Sequence, residues 1–158
     1  MLFRSDDARP PCTPEELDAL SGLIEAWLEV QSAENPSVRS TARDGVERRW
    51  VIRVAGEEKP LSALWLTLGQ RSLSYETYVM PAPEENQAQL YEHLLRRNEK
   101  LRGATFAVGA EDAIYLMGNV PNAFVDETEL DRILGTLYQA VELFFRPALR
   151  IGFASRFE

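Results

Sequence analysis

The sequence predicts an α+β fold: a helix, an antiparallel meander, a second helix, a β-hairpin and a third helix, packed as one mainly antiparallel sheet with helices. Two observations carry this. Apolar residues recur every three or four positions near both ends of the chain, but alternate between Val38 and Met80. Turn and breaker residues then divide the middle into short strands, with a helical stretch between two prolines and a glycine.

The first helix opens at Thr13-Pro14-Glu15-Glu16, where Thr13 caps, Pro14 fits the first helical position and Glu16 closes a capping box. Leu17, Leu20, Leu23, Ile24, Trp27 and Leu28 form its apolar stripe, and Asn35-Pro36 ends it. Turn signals at Asp44-Gly45, Gly56 to Pro60 and Gly69-Gln70 cut the following segment into four strands. A two-residue loop at Gly69-Gln70 sets Leu66 opposite Leu73 and Leu64 opposite Tyr75, with Leu68 and Val79 on the same face. The other face of that hairpin receives Leu61, Ala63, Trp65 and Tyr78, diluted by Thr67, Ser74 and Glu76.

Met80-Pro81-Ala82-Pro83 leaves the sheet, because proline cannot donate to a ladder. The second helix is expected from about Pro83 to Asn98, with Leu90, Tyr91, Leu94 and Leu95 as its apolar positions. Thr105 to Val108 and Ala113 to Met117 make the second hairpin, which Gly118 to Pro121 ends. Asp126 to Glu129 forms another capping box, and Leu130, Ile133, Leu134, Leu137, Tyr138, Val141, Phe144 and Phe145 give the strongest stripe. Pro147 is expected to kink or stop this helix, leaving a tail with Leu149, Ile151, Phe153 and Phe157. No linker or repeat divides the chain, so residues 1–158 read as a single domain with its core at about 13–146 and flanks at 1–12 and 147–158.

With 158 residues, 45% of them hydrophobic, the chain can bury roughly two thirds of its unfolded surface without metal or disulfide support. Cys12 has no partner within the chain for a disulfide. Met1 to Pro11 is too polar for a signal peptide and no apolar run is long enough to span a bilayer, so a cytoplasmic protein off the membrane is expected. A formal charge of −8 argues against nucleic acid, whose binding draws on many cations.

Chemistry is thinly represented. His93 is the sole histidine and follows Glu92 beside Arg96 and Arg97, as a surface or half-buried histidine does. No motif marks a serine or cysteine nucleophile beside it. Adjacent acids at Asp6-Asp7, Glu57-Glu58, Glu84-Glu85, Glu111-Asp112 and Asp126-Glu127 fall in turns or at helix starts, where solvation and the helix dipole explain them. Neither metal nor nucleotide motifs are present, so no catalytic residue, metal site or cofactor is expected. The arginines at 39, 43, 48, 49 and 53 are a candidate patch for an acidic partner, or a solvated strand face. The face with Val51, Leu61, Trp65 and Tyr78 has interface-like composition; either a helix covers it or a partner does.

The run Tyr91-Glu92-His93-Leu94-Leu95-Arg96-Arg97-Asn98, followed by Gly103-Ala104-Thr105-Phe106 and preceded by Tyr78-Val79-Met80-Pro81-Ala82-Pro83, resembles the bacterial YbjN family of sensory transduction regulators. The element order, with Leu94, Leu95 and Asn98 before Gly103 and Phe106, is similar to the type III secretion chaperone fold. The resemblance implies a domain that pairs into homodimers and has no established enzymatic activity. Asn98 is expected to take a left-handed conformation at its helix end, and Gly103 to allow a tight return into the next strand. The resulting expectation is a non-enzymatic protein-binding module, chaperone-like or adaptor-like, with a small-ligand-sensing regulatory domain as the alternative. Its partner or dimer surface would include Val51, Leu61, Trp65, Tyr78 and Phe153.

Overall fold

A computed structural model describes residues 9–157. Asp6-Asp7 and most of the polar start of the chain lie outside the described residues. The elements follow the expected order: α1 (Pro14–Glu34), β1 (Val38–Arg43), β2 (Arg49–Ala55), β3 (Leu61–Leu68), β4 (Ser72–Met80), α2 (Gln87–Asn98), β5 (Thr105–Val108), β6 (Ile114–Pro121) and α3 (Glu127–Gly152). The strands form one six-stranded sheet in the order β1-β2-β3-β4-β6-β5, every pairing antiparallel. The link through α2 therefore skips one place, setting β5 at the sheet edge and β6 beside β4.

Alternation decides which side chains meet the helices. Trp50, Ile52, Val54, Leu64, Leu66, Leu68, Leu73, Tyr75, Leu116 and Phe106 cluster with Ile24 and Trp27 of α1, Leu90 and Leu94 of α2, and Leu130, Ile133 and Leu137 of α3. Burying each such side chain stabilises the fold by about 1.5–3 kcal/mol. Thr13 and Glu16 close the α1 capping box as expected. Trp27 donates its indole N–H to Asp131 at 2.8 Å, which ties α1 to α3 without orphaning a polar group in the core.

The β3–β4 register differs from the expectation by two residues. Leu68 faces Leu73 and Leu66 faces Tyr75, because the tight turn sits on Gln70-Arg71, closed by Gly69 N–H donating to Ser72 at 2.9 Å. A slip of two keeps every side chain on its face, so the core assignment survives. β6 also runs further than expected, through Gly118 to Pro121, because it pairs with β4 along its whole length as well as with β5.

The second helix begins at Gln87, not Pro83. The amides of Glu84 and Glu85 instead donate to Gly152 at 2.9 and 3.1 Å, and Asn86 adopts a positive φ of 54°. Those contacts belong to the chain's end, which is where the largest correction lies. α3 does not stop at Pro147 but continues to Gly152. Both Pro147 and Leu143, whose carbonyl loses its helical partner, are exposed, so water can take up the freed group. Ala148, Gly152 and Phe153 are packed on the body, Phe153 at 7% exposure, whereas Phe157 is 53% exposed. Ser155 donates to Glu85, Arg156 pairs with Glu84, and Asn86 donates to the Ile151 carbonyl at 3.0 Å. The Glu84-Glu85 pair is thus a tether, not a solvated turn.

Smaller differences have local causes. Asp126 caps α3 by accepting from the Glu129 amide at 2.8 Å, but the Glu129 carboxylate is engaged by Arg132, so the box is half closed. Gly103 has the positive φ expected of it, 80°. Asn98 does not; it is the last helical residue and has a different task, described below. Leu94 is buried, whereas Leu95 points outward at 67% exposure.

Candidate functional site

The face of the sheet turned away from the helices is built by the register. A continuous row crosses it: Ala42 opposite Val51, Val51 opposite Trp65, Trp65 opposite Glu76, Glu76 opposite Met117, and Met117 opposite Thr105. Beside it, Tyr78 faces Tyr115 and Tyr115 faces Ala107; on the other side Arg49 faces Thr67, Thr67 faces Ser74 and Ser74 faces Asn119. Val51, Leu61, Trp65 and Tyr78 therefore share one face, as expected. Phe153 does not belong to it, being buried with the helices.

No helix among the described residues covers this face. Leu61 is 51% exposed and Tyr78 40%, while Trp65 and Met117 are half-buried by their strand neighbours. Val51 is buried yet stands outside the helix-side core, shielded by its cross-strand partners. The Arg49 guanidinium lies 4.3 Å over the Trp65 ring and reaches Glu76 at 3.9 Å. Tyr78 and Tyr115 meet edge to face, with centroids 5.7 Å apart. At the rim, Lys59 donates to the Tyr78 carbonyl at 2.6 Å, with its ammonium 5.2 Å from the Tyr78 ring. Burial lowers the Lys59 amine from its ordinary value; burial, then Tyr115 and Glu111, raises the Tyr78 phenol. Between Thr67, Ser74, Glu76, Thr105, Met117 and Asn119 the face dips into an open depression of about 480 Å³, floored by Tyr75 and Gly118.

Tyr115 and Met117 complete the face but were not found from sequence. Ile114, Tyr115, Leu116 and Met117 are all apolar, so alternation gives no contrast between the two sides. A second exposed apolar feature was also missed: a groove of about 240 Å³ between α2 and the edge strand β5, lined by Tyr91, Leu95, Phe106 and Val108.

The other candidates are dispersed. The arginine patch is largely spent on acids of α1 and the sheet: Arg43 pairs with Glu25, Arg48 with Asp18 and Arg49 with Glu76. His93 is half-buried on α2, its imidazolium disfavoured by burial and then by Arg97. Cys12 is half-buried 3.5 Å from the Asn122 amide. Among the described residues no three His, Cys, Asp or Glu side chains group to hold a metal ion, and no helix is long and apolar enough to cross a membrane.

Residues 21–150 match the YbjN family model, described as "Putative bacterial sensory transduction regulator". The chain belongs to the YbjN family. Curated YbjN-like relatives include "Uncharacterized protein ML2442" of Mycobacterium leprae (strain TN), 36% identical over 107 residues, which are 68% of this chain and 58% of that protein. "Uncharacterized protein Rv0487" of Mycobacterium tuberculosis (strain ATCC 25618 / H37Rv) is 34% identical over 105 residues, 66% of this chain and 57% of that one. The match thus spans well under two thirds of these relatives' length. Among solved structures, a chain of the ExsC–ExsE complex superposes with a TM-score of 0.57 at 16% identity, covering 80% of this chain and 94% of its own. A chain of the HopA1–SchA chaperone–effector complex gives 0.55 at 14%, covering 83% and 95%. At such identities the likeness establishes the fold: the YbjN domain is α+β and type III secretion chaperone-like, as α2 and the strand after it led one to expect.

Proposed function

We propose that this domain is a non-enzymatic protein-binding module, chaperone-like or adaptor-like, serving bacterial regulation or stress signalling in the cytoplasm, and that its partner docks on the uncovered sheet face. One observation carries the reading. The three α-helices pack on one side of the sheet, leaving Val51, Leu61, Trp65, Tyr78, Tyr115 and Met117 on a broad side that none of the described residues covers. Aromatic residues and methionine amid small polar groups are what the buried centre of a protein interface is made of. The ExsC–ExsE and HopA1–SchA structures are complexes of two different proteins, which fits the reading.

The homodimer implied by the resemblance finds its best surface elsewhere, in the α2–β5 groove, where Leu95 and Val108 are exposed together at the sheet edge. Two surfaces allow pairing and partner binding at once. Light scattering at micromolar concentration should give twice the chain mass, reduced to one by Leu95→Arg with Val108→Arg. Affinity capture should recover a protein that Trp65→Asp loses and the groove variant keeps. A wild-type monomer would remove the dimer; a capture indifferent to Trp65→Asp would remove the sheet face.

The alternative of a small-ligand sensor calls for a cavity between helix and sheet. The one lined by Val54, Leu64, Leu137 and Val141 measures about 10 Å³, no larger than a water requires. An open cleft of about 290 Å³ between α1, β2 and α3 has more room, but its Gln31 is already bonded to Asn35 and Asp131. A thermal shift with a metabolite panel would revive this reading.

A further inference from the structure

The charge on the uncovered face runs against that of the chain. The whole sequence carries 25 acidic and 17 basic residues, a net −8. Yet the outward positions of β2, β3, β4, β6 and β5 hold Arg49 and Arg53 against one carboxylate, Glu76, while the rim adds Lys59 and, near Tyr78, Glu111. Glu76 is loosely matched to Arg49 at 3.9 Å. Arg53 and Lys59 have no ion-pair partner among the described residues. Arg53 is exposed two residues along β2 from Val51, and therefore about 7 Å from the Val51–Trp65 shelf. Arg53 is solvated and Lys59 is half-buried on the Tyr78 carbonyl, and an opposite charge arriving from outside would pair with both.

From this we infer that the occupant of the Trp65 face is an acidic peptide segment with apolar anchors, its aliphatic or aromatic side chains on Leu61, Trp65 and Met117 and its carboxylates on Arg53 and Lys59. The inference rests on the reading of this face as a protein-binding surface and specifies its partner. A second copy of this chain fits poorly, because the same face of that copy offers Arg53 and Lys59 more cations than carboxylates. Single-stranded nucleic acid also meets cations and aromatics, but its bases need free ring faces to stack on. Here Arg49 already lies over Trp65, and Tyr78 and Tyr115 pack edge to face.

The test uses the whole chain and three fluorescein-labelled probes: a twelve-residue peptide alternating Val or Leu with Glu, the same peptide with Lys for Glu, and a twelve-nucleotide oligothymidine. Fluorescence anisotropy is read on wild type, Arg53→Glu, Lys59→Glu and Trp65→Ala, with circular dichroism confirming that each variant is folded. The acidic peptide should bind about tenfold or more tighter than the basic one. That preference should shrink with added salt, fall in Arg53→Glu and Lys59→Glu, and vanish with Trp65→Ala. Equal binding of both peptides, lost in Trp65→Ala, overturns the acidic specificity and leaves the protein-binding face standing. Acidic preference untouched by all three substitutions puts the site elsewhere and overturns both readings, as does the absence of peptide binding. Oligothymidine binding tighter than the acidic peptide would replace a protein partner by nucleic acid.

Discussion

The side chain of Asn98 brackets the backbone of Phe106. Its Oδ1 accepts from the Phe106 N–H at 2.7 Å and its Nδ2 donates to the Phe106 carbonyl at 3.1 Å. Phe106 lies on β5, the edge of the sheet, so the amide of Asn98 stands where the next strand's peptide group would be. One side chain thereby holds α2 against the sheet, satisfies two backbone groups of a buried residue, and blocks strand addition at that point.

Asn98→Ala orphans both groups and is expected to cost about 2–3 kcal/mol. Urea unfolding monitored by circular dichroism should show a lower midpoint with an unchanged slope. Asn98→Asp keeps the acceptor for the amide but sets a carboxylate against the Phe106 carbonyl. It should therefore be less damaging at acidic pH than at neutral pH.

Gly118 is required by a close approach. A Cβ there would lie 2.5 Å from the Gly103 carbonyl oxygen and 2.7 Å from the Tyr75 ring, whose hydroxyl donates to that same carbonyl. Gly118→Ala should cost about 1–3 kcal/mol by overpacking. In native-state hydrogen exchange the loss of protection should concentrate in β4 and β6.

Pro147 interrupts the hydrogen bonding on the exposed side of α3, and the helix then resumes to Gly152. Pro147→Ala restores a donor and relieves the ring's clash, offset in part by a freer unfolded chain. A gain of roughly 1–2 kcal/mol in thermal or urea unfolding is expected; a loss would mean that Phe153 seats only with the proline in place.

The Glu142 carboxylate clamps the β2–β3 loop to α3, accepting from the amides of Glu57 at 2.6 Å, Glu58 at 2.8 Å and Lys59 at 3.4 Å. Burial raises its pKa, but these amides outweigh burial and the Glu142 pKa lies below its ordinary value. A carboxyl depressed by folding contributes stability above its unfolded pKa and loses it as pH falls through the folded one. Glu142→Gln should therefore cost about 1 kcal/mol at neutral pH, discounted for its exposure. The difference from wild type should close as pH drops below the carboxylate range, read as converging urea midpoints.

Local chemistry made much of this fold legible. Thr13 and Glu16 close their box, Gly103 takes its left-handed turn, and alternation assigns Leu66 and Trp65 to opposite faces whatever the register. The turn at Gln70-Arg71 was missed by one residue because neighbouring glycine and polar residues offer nearly equivalent places to reverse the chain. Asn98 looked like a helix cap because its partner, Phe106, is a contact made only once β5 is in place.

The sequence by itself determined the element order, the facing of the β3–β4 hairpin and the scarcity of catalytic groups, since these depend on neighbours a few residues apart. Whether a helix covers the Trp65 face, and whether the chain beyond Pro147 docks or departs, depend on contacts between segments remote in sequence. Tertiary structure decided both. The helices take the more apolar side because it buries more surface. Gly152, with no side chain, lets the end of α3 close against Met80 and Pro83.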